Sequence, residues 1–225
     1  MKKNLAIVLL SGGMDSAVCA AIAKNAGFEL AAIHLNYGQL TQLKELECFN
    51  LVCQDFSIEH KLVTDVSFLA EIGGSSLTDN KIEVKNSNLG LGEIPNTYVP
   101  FRNANILAIA TSWAEVIEAR AIFIGAMEQD SSGYPDCRKS FFSAFQSTIN
   151  LGTKPGSEIK IFTPIIDMTK SGIIKIGLEL GVDFSHTWSC YKNSDIACGQ
   201  CESCRLRLRG FRDAGKSDPI KYSAE

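Results

Sequence analysis

A hydrophobic run, Leu5 to Leu10, breaks directly into Ser11-Gly12-Gly13-Met14-Asp15-Ser16, and few folds accommodate that junction. Six apolar residues suit an interior strand of a parallel sheet, covered on both faces. Two glycines allow a sharp turn that brings backbone close to a ligand. From Asp15 the apolar positions Val18, Ala21, Ile22 and Ala26 recur at helical spacing as far as Gly27, so a helix is predicted to start at once. The N–H groups of Gly12 to Ser16 then lie at a helix N-terminus, where free donors and the helix dipole favour an anion such as an ATP phosphate. The plainer alternative is a serine N-cap on an ordinary strand-to-helix turn, which does not call for two serines bracketing Gly-Gly and an Asp.

The alternation continues down the chain. Leu30 to Leu35 reads as a second strand, with Tyr37-Gly38-Gln39 just past its C-terminal end, where doubly wound sheets place ligand-contacting loops; Gln39 is a candidate contact. A helix with Leu43, Leu46, Cys48 or Phe49, Leu51, Val52 and Phe56 on one side leads to a third strand near Lys61 to Thr64. Residues 73–96 lose periodicity and read as an active-site loop, longer than an ordinary connection. A helix then runs to Ile117, with Asn103 as its expected cap and Arg102 at its start, placed to hold phosphate or carboxylate. After the strand Ala121 to Gly125 comes the polar loop Glu128 to Arg138, whose Asp136 and Arg138 offer a carboxylate and a fork of donors to a flat heterocycle, with Tyr134 for stacking. A helix from Lys139 to Leu151, a strand from Ile159 to Pro164 and a helix from Lys170 to Leu180 complete an α/β, doubly wound and mostly parallel layer. Residues 1–184 are expected to form this domain, and 185–225 a smaller, helical C-terminal segment.

Composition narrows the function. The chain has 225 residues, 45% of them hydrophobic, enough for a real core, and a net charge of −3, which exerts no general pull toward nucleic acid. Met1-Lys2-Lys3 before an apolar run imitates a signal peptide, but that run is too short, and no stretch is long enough to span a membrane. Of eight cysteines, four fall at Cys190, Cys198, Cys201 and Cys204. Two-residue spacings let neighbouring thiolates converge on one ion, and four sulfur ligands leave no open position, so structural zinc in a cytoplasmic protein is the favoured reading. An iron–sulfur cluster uses the same ligands, although the usual ferredoxin run with a further cysteine before proline is absent. The basic stretch that follows places Arg205, Arg209 and Arg212 on one face if helical. Gly210 to Ser217 matches the Walker A spacing, but no strand precedes it and Pro219 follows, so it is rejected as a phosphate loop.

Taken together, Ser11-Gly12-Gly13-Met14-Asp15-Ser16, Tyr37-Gly38-Gln39, Val99 to Asn103, Ser132 to Arg138, and Cys190 with Cys198, Cys201 and Cys204 resemble the N-type ATP pyrophosphatases, and within them the queuosine-pathway 7-cyano-7-deazaguanine synthase family, over roughly residues 5–212. The resemblance implies an adenine nucleotide alpha hydrolase-like fold and ATP-dependent conversion of 7-carboxy-7-deazaguanine and ammonia to the nitrile through an adenylated acid. It implies one structural Zn2+ per chain on the four cysteines, Mg2+ with ATP, a homodimer and no direct nucleic-acid partner. ATP is expected on Leu10, Ser11, Gly12, Gly13, Met14, Asp15, Ser16, Ala17, Val18, Cys19 and Ala20, with Asp15, Ser16 and Arg102 catalytic and Gln39, Tyr134, Asp136 and Arg138 on the substrate. Where many members carry Arg-His and then Glu after Tyr-Gly-Gln, this chain has Leu40 to Glu45, which leaves Glu45 as a substitute candidate. A tRNA thiolase or other adenylating amidotransferase with the same loop is the enzymatic alternative, with Cys137 as the thiol to watch. An ATP-sensing zinc module is the non-enzymatic one.

Overall fold

The computed structural model describes residues 4–84, 94–128 and 133–223. Five strands, β1 (Leu5–Leu9), β2 (Glu29–Asn36), β3 (His60–Asp65), β4 (Ala121–Ile124) and β5 (Lys160–Phe162), pair in the order β3-β2-β1-β4-β5, all parallel. Seven helices accompany them among the described residues: α1 (Met14–Asn25), α2 (Gln42–Asp55), α3 (Phe68–Ile72), α4 (Arg102–Ile117), α5 (Lys139–Gly152), α6 (Lys170–Glu179) and α7 (Glu202–Asp213). The chain winds outward from β1 to β3, returns, and enters β4 on the other side of β1. Order therefore reverses between β1 and β4, which opens a crevice beyond their carboxyl ends.

Alternation along β1 divides the core in two, because successive side chains of a strand point to opposite faces. Ala6 and Val8 face a layer that includes Val18, Phe49, Ile173 and Phe184, while Leu5, Ile7 and Leu9 face one that includes Leu107, Ala110, Phe142 and Ile149. A third, smaller core gathers Cys48 of α2 with Trp188, Cys190, Ala197, Cys201 and Cys204, so the C-terminal segment packs on the α/β layer through α2. An isolated parallel bridge, Ala197 to Tyr222, folds the chain end back over it.

Two details differ from the sequence reading. Leu43, expected on the buried side of α2, is 81% exposed, because the helix buries Cys48, Phe49, Val52 and Cys53. Asn103 does not cap α4: it lies inside the first turn, its N–H donating to the Asp136 carboxylate at 2.9 Å. An acidic side chain from a later loop supplies the acceptor that this helix start lacks locally.

Candidate active site

A cavity of about 290 Å³ occupies the crevice. Its floor is the loop from β1 to α1. Gly12 has φ +82°, a left-handed conformation, and an added Cβ would lie 2.4 Å from the Glu45 carbonyl oxygen, so glycine is required there twice over. Gly125, just past β4, lets that strand approach the start of α1, where a Cβ would come within 3.0 Å of the Ser16 nitrogen. The loop holds its own shape: Ser16 Oγ donates to the Gly13 carbonyl at 2.9 Å, and the Ser11 and Gly13 N–H groups donate to Ser16 Oγ and Ser11 Oγ, both at 3.2 Å. Helical geometry leaves the N–H groups of Met14, Asp15 and Ser16 without intrahelical acceptors, which makes this an anion cradle.

Of the eleven residues expected around ATP, Leu10, Ser11, Gly13, Met14, Asp15 and Ser16 line the cavity. Ala17, Val18, Cys19 and Ala20 do not. They are fully buried in the core, because α1 is covered on almost every side. Gly12 shapes the turn behind the wall.

Lys170, which carried no distinguishing mark in the sequence, is the first residue of α6 and reaches the cradle from 155 positions away. Its Nζ donates to both carboxylate oxygens of Asp15 at 2.9 and 2.8 Å and lies 3.1 Å from Met127 Sδ. A cationic side chain thus sits beside the anion cradle, where it adds positive potential.

Beyond the cradle the cavity becomes aromatic and carries charge. Arg102 stacks its guanidinium 5.3 Å from the Tyr37 ring centroid and donates to the Tyr37 hydroxyl at 3.3 Å. Burial opposes its charge, but Tyr37, Tyr134, Asp136 and Cys137 outweigh that and hold its pKa above the ordinary value. Tyr134 lines the same lobe, its hydroxyl 2.7 Å from Thr97 Oγ1, and Tyr191 lines it from the C-terminal segment. Leu77, from the loop at 73–96, also reaches the wall; residues 85–93 of that loop, and Ser132 of the polar motif, lie outside the described residues.

Three expected substrate contacts are placed elsewhere. Asp136 is buried behind the wall and spent on α4, and burial raises its pKa even though the Asn103 N–H favours the charged form. Arg138 is exposed at the start of α5, away from the cavity, because the turn Pro135–Cys137 points the chain outward. Gln39 is buried and acts one step removed: its Oε1 accepts from the Tyr37 N–H at 2.9 Å and its Nε2 donates to Glu45 at 3.0 Å. Glu45, also bonded by Thr41 Oγ1 at 2.7 Å, does line the cavity. Cys137 lines it too, but burial first and Asp136 second push its thiol up to about 11, and Asn103 Nδ2 donates to its sulfur at 3.3 Å. That is a quiet thiol, far from the low pKa a nucleophilic cysteine needs.

The C-terminal segment closes the remaining side. The Trp188 N–H donates to the Gly12 carbonyl at 2.9 Å, which ties this segment to the cradle turn. Two residues on, the sulfurs of Cys190, Cys198, Cys201 and Cys204 all lie within 4.8 Å of one another. Tetrahedral zinc–thiolate bonds of about 2.3 Å require sulfurs about 3.8 Å apart, so this donor set fits one Zn2+ closely. Backbone N–H groups of Lys192, Asn193 and Cys198 point at Cys190 Sγ at 3.3–3.4 Å, as expected around a thiolate. The neighbouring Cys201 and Cys204 thiols, with those N–H groups, hold the Cys190 pKa far below the usual range.

Arg207 was not singled out by the sequence, yet it is the buried arginine of α7, while Arg205 and Arg212 are exposed. It joins Asp218 in a two-pronged ion pair at 2.8 and 3.0 Å and donates to Thr187 and to the Phe184 carbonyl, so it locks the chain end to the strap that covers the cavity.

A five-stranded parallel sheet with an anion cradle where its strand order reverses defines the class: this is a doubly wound α/β protein with a ligand crevice at the switch point. The fold of a 4-thiouridine synthetase, solved as an RNA complex with bound ATP, superposes with a TM-score of 0.51 and 18% identity over 79% of this chain and 41% of that one. The chain belongs to the family described as queuosine biosynthesis protein QueC, whose model matches residues 5–215. It is 57% identical to the 7-cyano-7-deazaguanine synthase of Chlorobium phaeobacteroides strain BS1 over 217 residues, 96% of both chains. It is 49% identical to that of Campylobacter hominis, over 96% of this chain and 99% of the other.

Proposed function

We propose that this chain converts 7-carboxy-7-deazaguanine and ammonia to 7-cyano-7-deazaguanine, with two ATP consumed per nitrile formed. The observation that carries this reading is the single cavity joining an anion cradle to an aromatic lobe that holds the half-buried Arg102. The substrate carboxylate attacks the α-phosphorus of ATP, giving an acyl adenylate and pyrophosphate. Ammonia then displaces AMP to form the primary amide and releases a proton. A second ATP adenylates the amide oxygen with release of pyrophosphate and one N–H proton, and departure of AMP with the remaining N–H proton leaves the nitrile.

In this scheme the N–H groups of Met14, Asp15 and Ser16 bind the β and γ phosphates, and Lys170 offsets charge on the departing pyrophosphate. Arg102 holds the substrate carboxylate at the junction of the two lobes. Mg2+ accompanying ATP would be held by Asp15, whose carboxylate stands at the rim of the cradle. Positioning and electrostatics carry the rate.

Zn2+ on the four cysteines supplies structure. It fixes residues 185–225 as a segment docked on the 1–184 α/β domain. We further read the protein as a cytoplasmic homodimer acting on small molecules, without direct nucleic-acid binding. No helix among the described residues is long and apolar enough to cross a membrane. The quiet Cys137 argues against the thiolase alternative, in which a site cysteine must react.

The test is incubation with ATP, ammonium and 7-carboxy-7-deazaguanine, followed by mass detection. Nitrile accompanied by AMP and pyrophosphate is expected, with 7-amido-7-deazaguanine accepted as a substrate. ADP and phosphate as products would refute the mechanism.

A further inference from the structure

The aromatic lobe contains a carboxylate that no described residue engages. Glu202 lies between the metal-binding Cys201 and Cys204, at the first residue of α7, and lines the cavity while only 4% exposed. No hydrogen bond or ion pair engages its carboxylate among the described residues. The cavity's other carboxylates differ: Asp15 is held by Lys170, and Glu45 by Thr41 and Gln39. Its carboxylate opens onto the cavity, so a ligand that brings N–H donors can satisfy it there.

The surroundings identify those donors. Tyr191 lines the cavity close enough to sense Tyr134, Arg102, Tyr37 and Glu202 together, so the phenols lie around one space with a cation and an anion. An arginine, a carboxylate and flat aromatic walls suit a planar, zwitterion-like ligand: a heterocycle with an anionic substituent on one side and adjacent N–H groups on the other. We infer that Glu202 accepts hydrogen bonds from the N1–H and 2-amino group of the 2-aminopyrimidin-4-one ring, while Arg102 takes the carboxylate of the same molecule. This assignment rests on the proposed function and adds the residue that selects the base. It takes the part that the sequence suggested for Asp136, which is committed to α4. The CxxC spacing sets Glu202 in place, so the metal knuckle would deliver a specificity group as well as tie down the chain.

The test compares wild type, Glu202→Gln and Glu202→Ala, each checked for zinc content and melting temperature. Binding is measured calorimetrically for 7-carboxy-7-deazaguanine and for its analogue lacking the 2-amino group, and KM is determined for ATP and for the acid. Glu202→Ala is expected to weaken binding of the full substrate about 10- to 100-fold, as for lost hydrogen bonds to a charged group, with KM for ATP and zinc content unchanged. Wild type should bind the 2-desamino analogue more weakly, and the variants should lose less affinity for it, which keeps only the N1–H, than for the full substrate. Glu202→Gln, which keeps the shape but turns a donor toward donors, should behave like Glu202→Ala. Wild-type affinity in Glu202→Ala, or an equal loss for both ligands, would overturn the assignment while leaving the proposed reaction intact. If wild type binds the base in a Glu202-dependent way but never forms nitrile, the assignment stands and the reaction falls. If it binds neither ligand, both fall.

Discussion

Replacing Arg207 should cost more stability than replacing any other charged residue of the C-terminal segment. Its side chain is 1% exposed and donates through Nε and NH2 to Asp218 at 2.8 and 3.0 Å, through NH1 to Thr187 Oγ1 at 2.8 Å, and through NH2 to the Phe184 carbonyl at 2.9 Å. In Arg207→Met the hydrocarbon stem is largely kept, but Asp218, only 4% exposed, retains a charge without its partner, and buried acceptors at residues 184 and 187 lose their donor. Breaking a buried pair from one side costs about 3–5 kcal/mol. For a chain of this size each kcal/mol lowers the melting temperature by about 2–4 °C, so a fall of about 6–20 °C is expected by calorimetry. Tryptophan fluorescence should report the same transition, since Trp188 lies in the strap Arg207 holds. The double variant Arg207→Met with Asp218→Leu removes both charges and should recover at least half of the loss. A single-variant cost under about 1 kcal/mol, or a double variant no more stable than Arg207→Met, would refute the reasoning.

Asp15→Asn and Ser16→Ala should fold normally and lose about 10²- to 10³-fold in ATP-dependent turnover, the scale of removing one preorganised electrostatic group; near-normal rates in both would sink the cradle assignment. Lys170→Met should reduce turnover similarly but lower stability by only about 1 kcal/mol, because the Asp15 side chain is 29% exposed and rehydrates in the cavity. Cys198→Ser should lose bound zinc, read by metal analysis, and with it the cooperative melting of the C-terminal segment; a brown protein with labile sulfide would instead favour an iron–sulfur cluster. His186 accepts a pH test: the Asp55 hydrogen bond, working against some desolvation, raises its folded pKa above the ordinary value. Its contribution is therefore fully present below about pH 6.5 and is lost as pH rises through the raised folded value. With both side chains about a third exposed, the effect is under about 1 kcal/mol, and His186→Gln should abolish that part of the stability-versus-pH slope.

The elements that periodicity could reveal were legible, and for a physical reason. Interior strands of a parallel sheet are apolar on both faces, so β1, β2 and β4 read as continuous runs, and the cradle follows from one glycine-serine turn placed at the end of such a run. The residues that were missed act across the fold. Lys170 reads as an ordinary lysine in a helical first turn, and only the packing of α6 beside α1 brings it to Asp15. Glu202 reads as the acidic residue favoured near any helix start, and only the turn of the Cys198–Cys204 cluster brings it to the cavity. Among the arginines of α7, which one is buried depends on the turn that faces residues 184–189, and helical spacing alone selected Arg205, Arg209 and Arg212 instead of Arg207.

The Walker-like stretch at 210–217 follows the same logic in reverse. A glycine in such a pattern suggests backbone held close to phosphate. At Gly210 an added Cβ would meet Lys170 Cγ at 2.5 Å and Ile174 Cδ1 at 2.9 Å. The glycine is needed so that α7 can lie directly on α6, and it leaves the stem of Lys170 room to run toward Asp15. Its connection to the phosphate site is thus mechanical. Gly210→Ala should displace Lys170 and lower turnover through the cradle, even though Gly210 does not line the cavity. Wild-type turnover in a folded Gly210→Ala protein would show that α7 does not govern where that ammonium sits.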